Sequence, residues 1–235
     1  MMNITTLIYI LGIIILPVLI LFTLYRFSVF VFESISIDYK TAAVLTFFIL
    51  LSTFLPSFIF PQTDHILVCS ISSWKLGIHP IGFVLPVLIS LLLLFKKRLH
   101  TTFILLGLIP VSAMAYIVTT PVLEKGIISP FPLWLFPPLM AAFITVLHYE
   151  KLGKNTSIYA FILGVFGIII GADLFHLPSL LQFTHSSMQA TFGGAGSVDL
   201  IFLSGMFSVV FAELFLFIIK NLNQPRYTTF WHVHM

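Results

Sequence analysis

Seven apolar stretches set the pattern of this chain, each parted from the next by a short polar interval. They fall at about 4–25, 40–60, 77–95, 101–120, 130–148, 157–175 and 199–219, close to the roughly 20 residues a helix needs to cross a hydrocarbon core of about 30 Å. The pattern predicts an all-α fold: a polytopic transmembrane bundle of about seven helices, with residues 1–235 forming a single transmembrane domain. Pro17, Pro56, Pro86, Pro137 and Pro138 lie in or at the ends of these stretches. They predict kinks, because neighbouring helices satisfy the backbone groups a proline frees. The first stretch is too long for the apolar part of a signal peptide, lacks a basic segment before it and has no small-x-small site after it, so it reads as a retained helix.

Composition agrees with this reading. The chain is 59% hydrophobic and 8% charged, with a mean hydropathy of +1.13, whereas a soluble domain is nearer half apolar and a quarter charged. The expected partner is therefore a lipid bilayer. No basic patch points to nucleic acid. The single Cys69 excludes an intramolecular disulfide and offers no cysteine metal motif.

The lysines and arginines assign sides. Arg26, Lys40, Lys96, Lys97, Arg98, Lys151, Lys154, Lys220 and Arg226 fall at one end of the bundle, and only Lys75 and Lys125 at the other. By the positive-inside rule the C-terminus is expected to be cytoplasmic and the N-terminus outside, in an inner (cytoplasmic) membrane, multi-pass. An odd number of spans is required, and seven is odd.

The outer loop between the sixth and seventh stretches, residues 176–198, has no Lys or Arg. Asp173 stands just before it and Asp199 just after. A carboxylate at membrane depth normally faces protein or a water-filled cavity. If both face one cavity, like charges in a low-dielectric site cannot both ionise and the pair titrates as a unit. That state suits general acid/base activation of water, and equally proton-coupled transport. Asp199 has a structural reading too, as the N-cap of the last helix. Gly193, Gly194 and Gly196 ahead of it make either a tight turn or a place for close backbone approach. Gly164, Gly167 and Gly171 are spaced for close helix packing.

His176 follows Asp173 by three residues, which puts both on one helical face. His79, before Pro80, marks the start of the third stretch at the same end. Glu213 shares a stripe of the last helix with Asp199, about four turns away. His176, His79, Glu213 and the three glycines are the expected binding residues, and Asp173 and Asp199 the expected catalytic ones. No ligand-dense motif calls for a metal, and no cofactor is expected. Serine-hydrolase, nucleotide-binding and zinc-peptidase motifs do not occur.

The runs Leu76-Gly77-Ile78-His79-Pro80, Gly126-Ile127-Ile128-Ser129-Pro130, Gly171-Ala172-Asp173-Leu174 and Gly193-Gly194-Ala195-Gly196-Ser197-Val198-Asp199 carry a resemblance. They are similar to those of an uncharacterised family of prokaryotic multi-pass membrane proteins, across roughly residues 50–215. The resemblance implies a membrane bundle and brings no activity with it. More distantly, the chain resembles intramembrane aspartyl proteases of the presenilin and prepilin-peptidase type. Those use two aspartates on separate helices, the second in a Gly-x-Gly-Asp motif. Here Ser197 and Val198 stand between Gly194-Ala195-Gly196 and Asp199. Three functions stay open at this point: an intramembrane aspartyl hydrolase acting on a membrane peptide, a transporter or ion-binding protein for a small molecule or ion, and a non-catalytic membrane scaffold.

Overall fold

The computed structural model describes residues 4–54, 66–71, 74–122, 126–182 and 188–222. Residues 55–60 of the second expected helix, Lys125, and the tail with Arg226 lie outside the described residues. Seven helices run in chain order among those described: α1 (Ile4–Ser34), α2 (Tyr39–Phe54), α3 (Pro80–Lys96), α4 (Thr101–Val118), α5 (Leu133–Leu147), α6 (Tyr149–Leu181) and α7 (Leu200–Leu222). Stretches within α1, α4, α6 and α7 are each long and apolar enough to cross a membrane; α2, α3 and α5 are shorter and apolar. Side chains such as Ile109 and Ile117 stand 67% and 73% exposed, an arrangement that is stable only against lipid. The chain is a multi-pass membrane protein.

α6 is the axis of the bundle. Of its most apolar window 72% is buried, against 22% for α1, and it packs on α3, α4, α5 and α7. Small residues make this possible. A Cβ added to Gly164 would lie 2.3 Å from Ser208 Oγ and 2.7 Å from the Ser204 carbonyl, and one added to Gly171 would lie 2.1 Å from the Ser112 carbonyl. The approaches to the Ser204 and Ser112 carbonyls are main chain against main chain, which only glycine allows.

Helix ends differ from the expectation in ways the local chemistry explains. α1 continues to Ser34, because residues 26–34 contain no breaker, so Arg26 lies within the helix. α3 starts at Pro80 and not near 77. Proline suits the first turn and drives the residue before it to extended backbone, and His79 sits at φ −93°, ψ 132°. Asp38 caps α2: the Thr41 amide and hydroxyl donate to its two carboxyl oxygens at 3.0 and 2.8 Å.

Among the described residues five strands, none of them foreseen, cover one end of the bundle. β1 (Ile66–Ile71) pairs antiparallel with β2 (Trp74–Ile78), and β2 pairs parallel with β5 (Met188–Phe192), giving the order β1-β2-β5. β3 (Thr120–Val122) and β4 (Gly126–Ile128) form a separate antiparallel pair. These segments come from the connections α2–α3, α4–α5 and α6–α7, which an up-and-down bundle places at one end.

Candidate functional site

α3 and α6 each carry one π-helical stretch, Pro80–Val84 and Ile169–Leu174. A π-turn is one residue wider than an α-turn and occurs most often at functional sites. The first starts at His79, the second contains Asp173, and both lie at the strand-bearing end.

Between them stands the turn that leads into α7. Gly193 is at φ +71° and Gly196 at φ +65°, conformations that β-carbons disfavour. The Gly194 amide donates to the Thr191 carbonyl at 3.1 Å and the Gly196 amide to the Gly193 carbonyl at 2.9 Å. A Cβ on Gly82 would fall 2.1 Å from the Gly193 carbonyl oxygen, and one on Gly193 would fall 2.5 Å from the backbone of Gly82 and Phe83. The turn therefore rests directly on the first π-turn, main chain on main chain.

His79 locks this contact. Its amide donates to the Phe192 carbonyl at 2.9 Å, tying β5 to the start of α3. Its Nδ1 lies 3.1 and 3.0 Å from the amides of Ile81 and Gly82. Both are donors, so Nδ1 carries the lone pair and a neutral ring holds its proton on Nε2. That edge of the ring faces Gly196, whose added Cβ would lie 3.7 Å from Nε2.

Asp199 caps α7. Its Oδ1 accepts from the Ile201 amide at 2.9 Å and its Oδ2 from the Ala195 amide at 3.2 Å, so the carboxyl is held in one orientation. Burial raises its pKa above the usual carboxylate range, while those two amides pull it down. Asp173, on the second π-turn, is bound differently: its Oδ2 is buried and has no hydrogen-bond partner.

Both acids line one cavity of about 550 Å³. Gly193, Gly194 and Ala195 form part of its wall, Gln189 to Phe192 of β5 another, and Trp74, Gly126, Ile127, Leu177 and Leu180 the rest. Trp74 is 4% exposed and supplies a fixed apolar surface. Among the described residues no Lys or Arg lines the cavity.

The other expected residues lie elsewhere. His176 is buried beside Asp173 in sequence, yet its ring stacks on Tyr116 at 4.4 Å and its Nε2 donates to the Tyr116 carbonyl at 3.1 Å; it does not line the cavity. Glu213 accepts from the Ser157 hydroxyl at 2.5 Å, about 21 Å down α7 from Asp199 at 1.5 Å per residue. Among the described residues no group of three or more His, Cys, Asp or Glu is placed to hold a metal.

Sequence reasoning missed Gly82, Trp74 and all of β5. A signal for β5 was present: Met188-Gln189-Ala190-Thr191-Phe192 alternates apolar and polar with period two, but sits in an interval read as a loop.

One protein family matches residues 68–211; it is described as a protein of unknown function, DUF1614. No curated protein and no solved structure matches the chain.

Proposed function

Because the chain belongs to the DUF1614 family, which brings no activity, its chemistry has to come from its own geometry, and we propose that it is an intramembrane hydrolase in which Asp173 and Asp199 act on a peptide bond. The observation that carries this reading is the pairing itself: two acids 26 residues apart in sequence line one cavity, one pinned by amides and the other with a buried, unpartnered carboxyl oxygen.

A pair that shares one proton can perform the whole reaction. The ionised carboxylate takes a proton from water as the water oxygen bonds to the peptide carbonyl carbon, and the protonated acid gives its proton to the carbonyl oxygen. The tetrahedral intermediate then collapses: the C–N bond breaks, the nitrogen takes the proton now on the first acid, and a hydroxyl proton returns to the second. The products are a carboxylic acid and an amine, and the pair regains its starting state. The amides on Asp199 fix its position for this role, and the glycine turn leaves the scissile bond room to approach.

The same reading places the strand-bearing end outside and the C-terminus in the cytoplasm, with the protein in the cytoplasmic membrane. Its support is the asymmetry of basic residues.

A second reading, ion or small-molecule binding on a transport path, draws on the unpartnered oxygen of Asp173. The tight α6–α7 seam, where Gly164 meets the Ser204 backbone, and the separate placement of Glu213 weigh against a through-path. A scaffold with both acids fully bonded and no cavity fits least, given the unpartnered oxygen and the hollow. The deciding experiment reconstitutes the full chain in proteoliposomes with a pool of single-span membrane peptides and follows new amino termini by mass spectrometry. Cleavage by the parent that Asp173→Asn and Asp199→Asn both abolish supports hydrolysis. Intact peptides together with acid-dependent ion uptake would establish the second reading instead.

A further inference from the structure

β5 is the last strand of its sheet. β2 pairs with one side of it, and no described strand pairs with the other. The ladder fixes which backbone groups face which way. The Phe192 carbonyl accepts the amide of His79, the residue after its partner Ile78, so the peptide groups of Phe192 turn toward β2. Pleating reverses that direction at each residue. Met188, Ala190 and Phe192 therefore bond inward, while Gln189 and Thr191 turn outward.

The Thr191 carbonyl is taken by the Gly194 amide. That leaves the amide and carbonyl of Gln189 and the amide of Thr191 along an edge that lines the cavity. Three backbone groups in strand register are a template for an extended chain. Gly126 and Ile127 of β4 line the same cavity, and the space where Gly126 would carry a Cβ has no heavy atom within 4 Å.

We infer that the cavity receives an extended polypeptide segment, which adds to the free edge of β5 as a fourth strand and carries its backbone past Asp173 and Asp199. A helical or folded partner does not fit, because only an extended backbone presents donors and acceptors at this spacing. Charge narrows the class further. Among the described residues the lining holds two carboxylates and no Lys or Arg, so the segment has no acidic side chain where it passes the two acids. In the terms of the proposed hydrolase, this names the substrate as a locally unwound stretch of peptide entering from the strand-bearing end. Binding requires the edge of β5, and cleavage requires the acids.

The two requirements separate in one experiment. The full chain in nanodiscs is immobilised and offered a pool of random peptides of about eight residues without Asp or Glu, long enough to cover β5 at about 3.3 Å per residue. A second pool is identical but N-methylated at every second amide, which removes the donors of a pairing edge. The first pool is retained and the second about tenfold less, as expected for the loss of two or three strand hydrogen bonds. Thr191→Pro removes one outward amide, leaves the ladder to β2 intact and lowers retention in the same way. The Asp173→Asn, Asp199→Asn double variant cleaves neither pool, so cleavage is read in the parent alone. Equal retention of the two pools, or retention of neither, overturns the inference; the latter is also the result if another stretch of this chain already covers the edge. Retention by the edge without cleavage leaves this inference standing and removes the hydrolase. Cleavage of both pools at equal rates does the reverse.

Discussion

The two acids that share a cavity differ in what holds them, and their variants should differ accordingly. Asp199 is a helix cap as well as a candidate catalytic group. Asp199→Ala should cost about 1 kcal/mol of stability through the lost cap, whereas Asp199→Asn keeps an accepting oxygen and should melt near the parent. Both should abolish peptide cleavage. Asp173 caps nothing, so Asp173→Asn should abolish cleavage with no loss in melting temperature, and Glu213→Gln, far from the cavity, should leave cleavage intact. Thermal unfolding in detergent beside product analysis reads all four. Asp38 gives a pH test of opposite sign to Asp199. The Thr41 amide and then its hydroxyl hold the Asp38 carboxyl below its ordinary range, so its contribution is complete above the unfolded value of about 3.9 and is lost as pH falls through the folded one. Asp38→Ala should thus be less stable than the parent at neutral pH, and the gap should close on acidification. Asp199 is raised, with burial the dominant cause. In the window between its unfolded and folded values the folded state binds the extra proton, so its contribution falls as pH rises.

At the scale of elements, the π-turns do the positioning. Deleting Ile170 should return the middle of α6 to regular α-helix, turn Asp173 off the cavity wall and abolish cleavage while far-ultraviolet circular dichroism keeps its helical signal. Gly82→Ala should be more damaging: its Cβ meets main chain at 2.1 Å, which no rotamer change relieves. A cost of about 1–3 kcal/mol follows, with the glycine turn displaced from α3. The helices themselves were legible in the sequence, because a bilayer sets their length and lipid sets their composition. The turns within them were not. A wide turn leaves no mark in an apolar run, so the angular relation of Asp173 to His176 could not be read from their spacing alone. The strands were hidden for another reason. Segments of three to six residues such as Gly126–Ile128 and Ile66–Ile71 are too short for periodicity to outweigh flanking spans, and the partner of β2 lies more than a hundred residues away. The convergence of Asp173, Asp199 and the glycine turn was readable because up-and-down spans return to the same end. That His176 and Glu213 fall outside the cavity was not, since each finds a local partner, Tyr116 and Ser157, that only packing reveals.

For the whole molecule, the distribution of charge and the placement of strands make a single claim about sides. Cys69 is the one cysteine of the chain; it lies on β1 and is exposed. With no substitution at all, a membrane-impermeant maleimide added to intact cells should label it. Labelling only after the membrane is opened would place the strand-bearing end inside and reverse the proposed orientation.

The parallel pairing of β2 with β5 bears on how the protein is made. Translation delivers β2 and the first π-turn early, Asp173 late, and β5 with Asp199 last of all before the final span. A nascent chain halted short of Met188 holds one acid and half a wall. The hollow and its pair of carboxyls come into being together, only after six of the seven described helices have been made, so an unfinished copy in the membrane lacks the paired acids that the proposed hydrolysis requires.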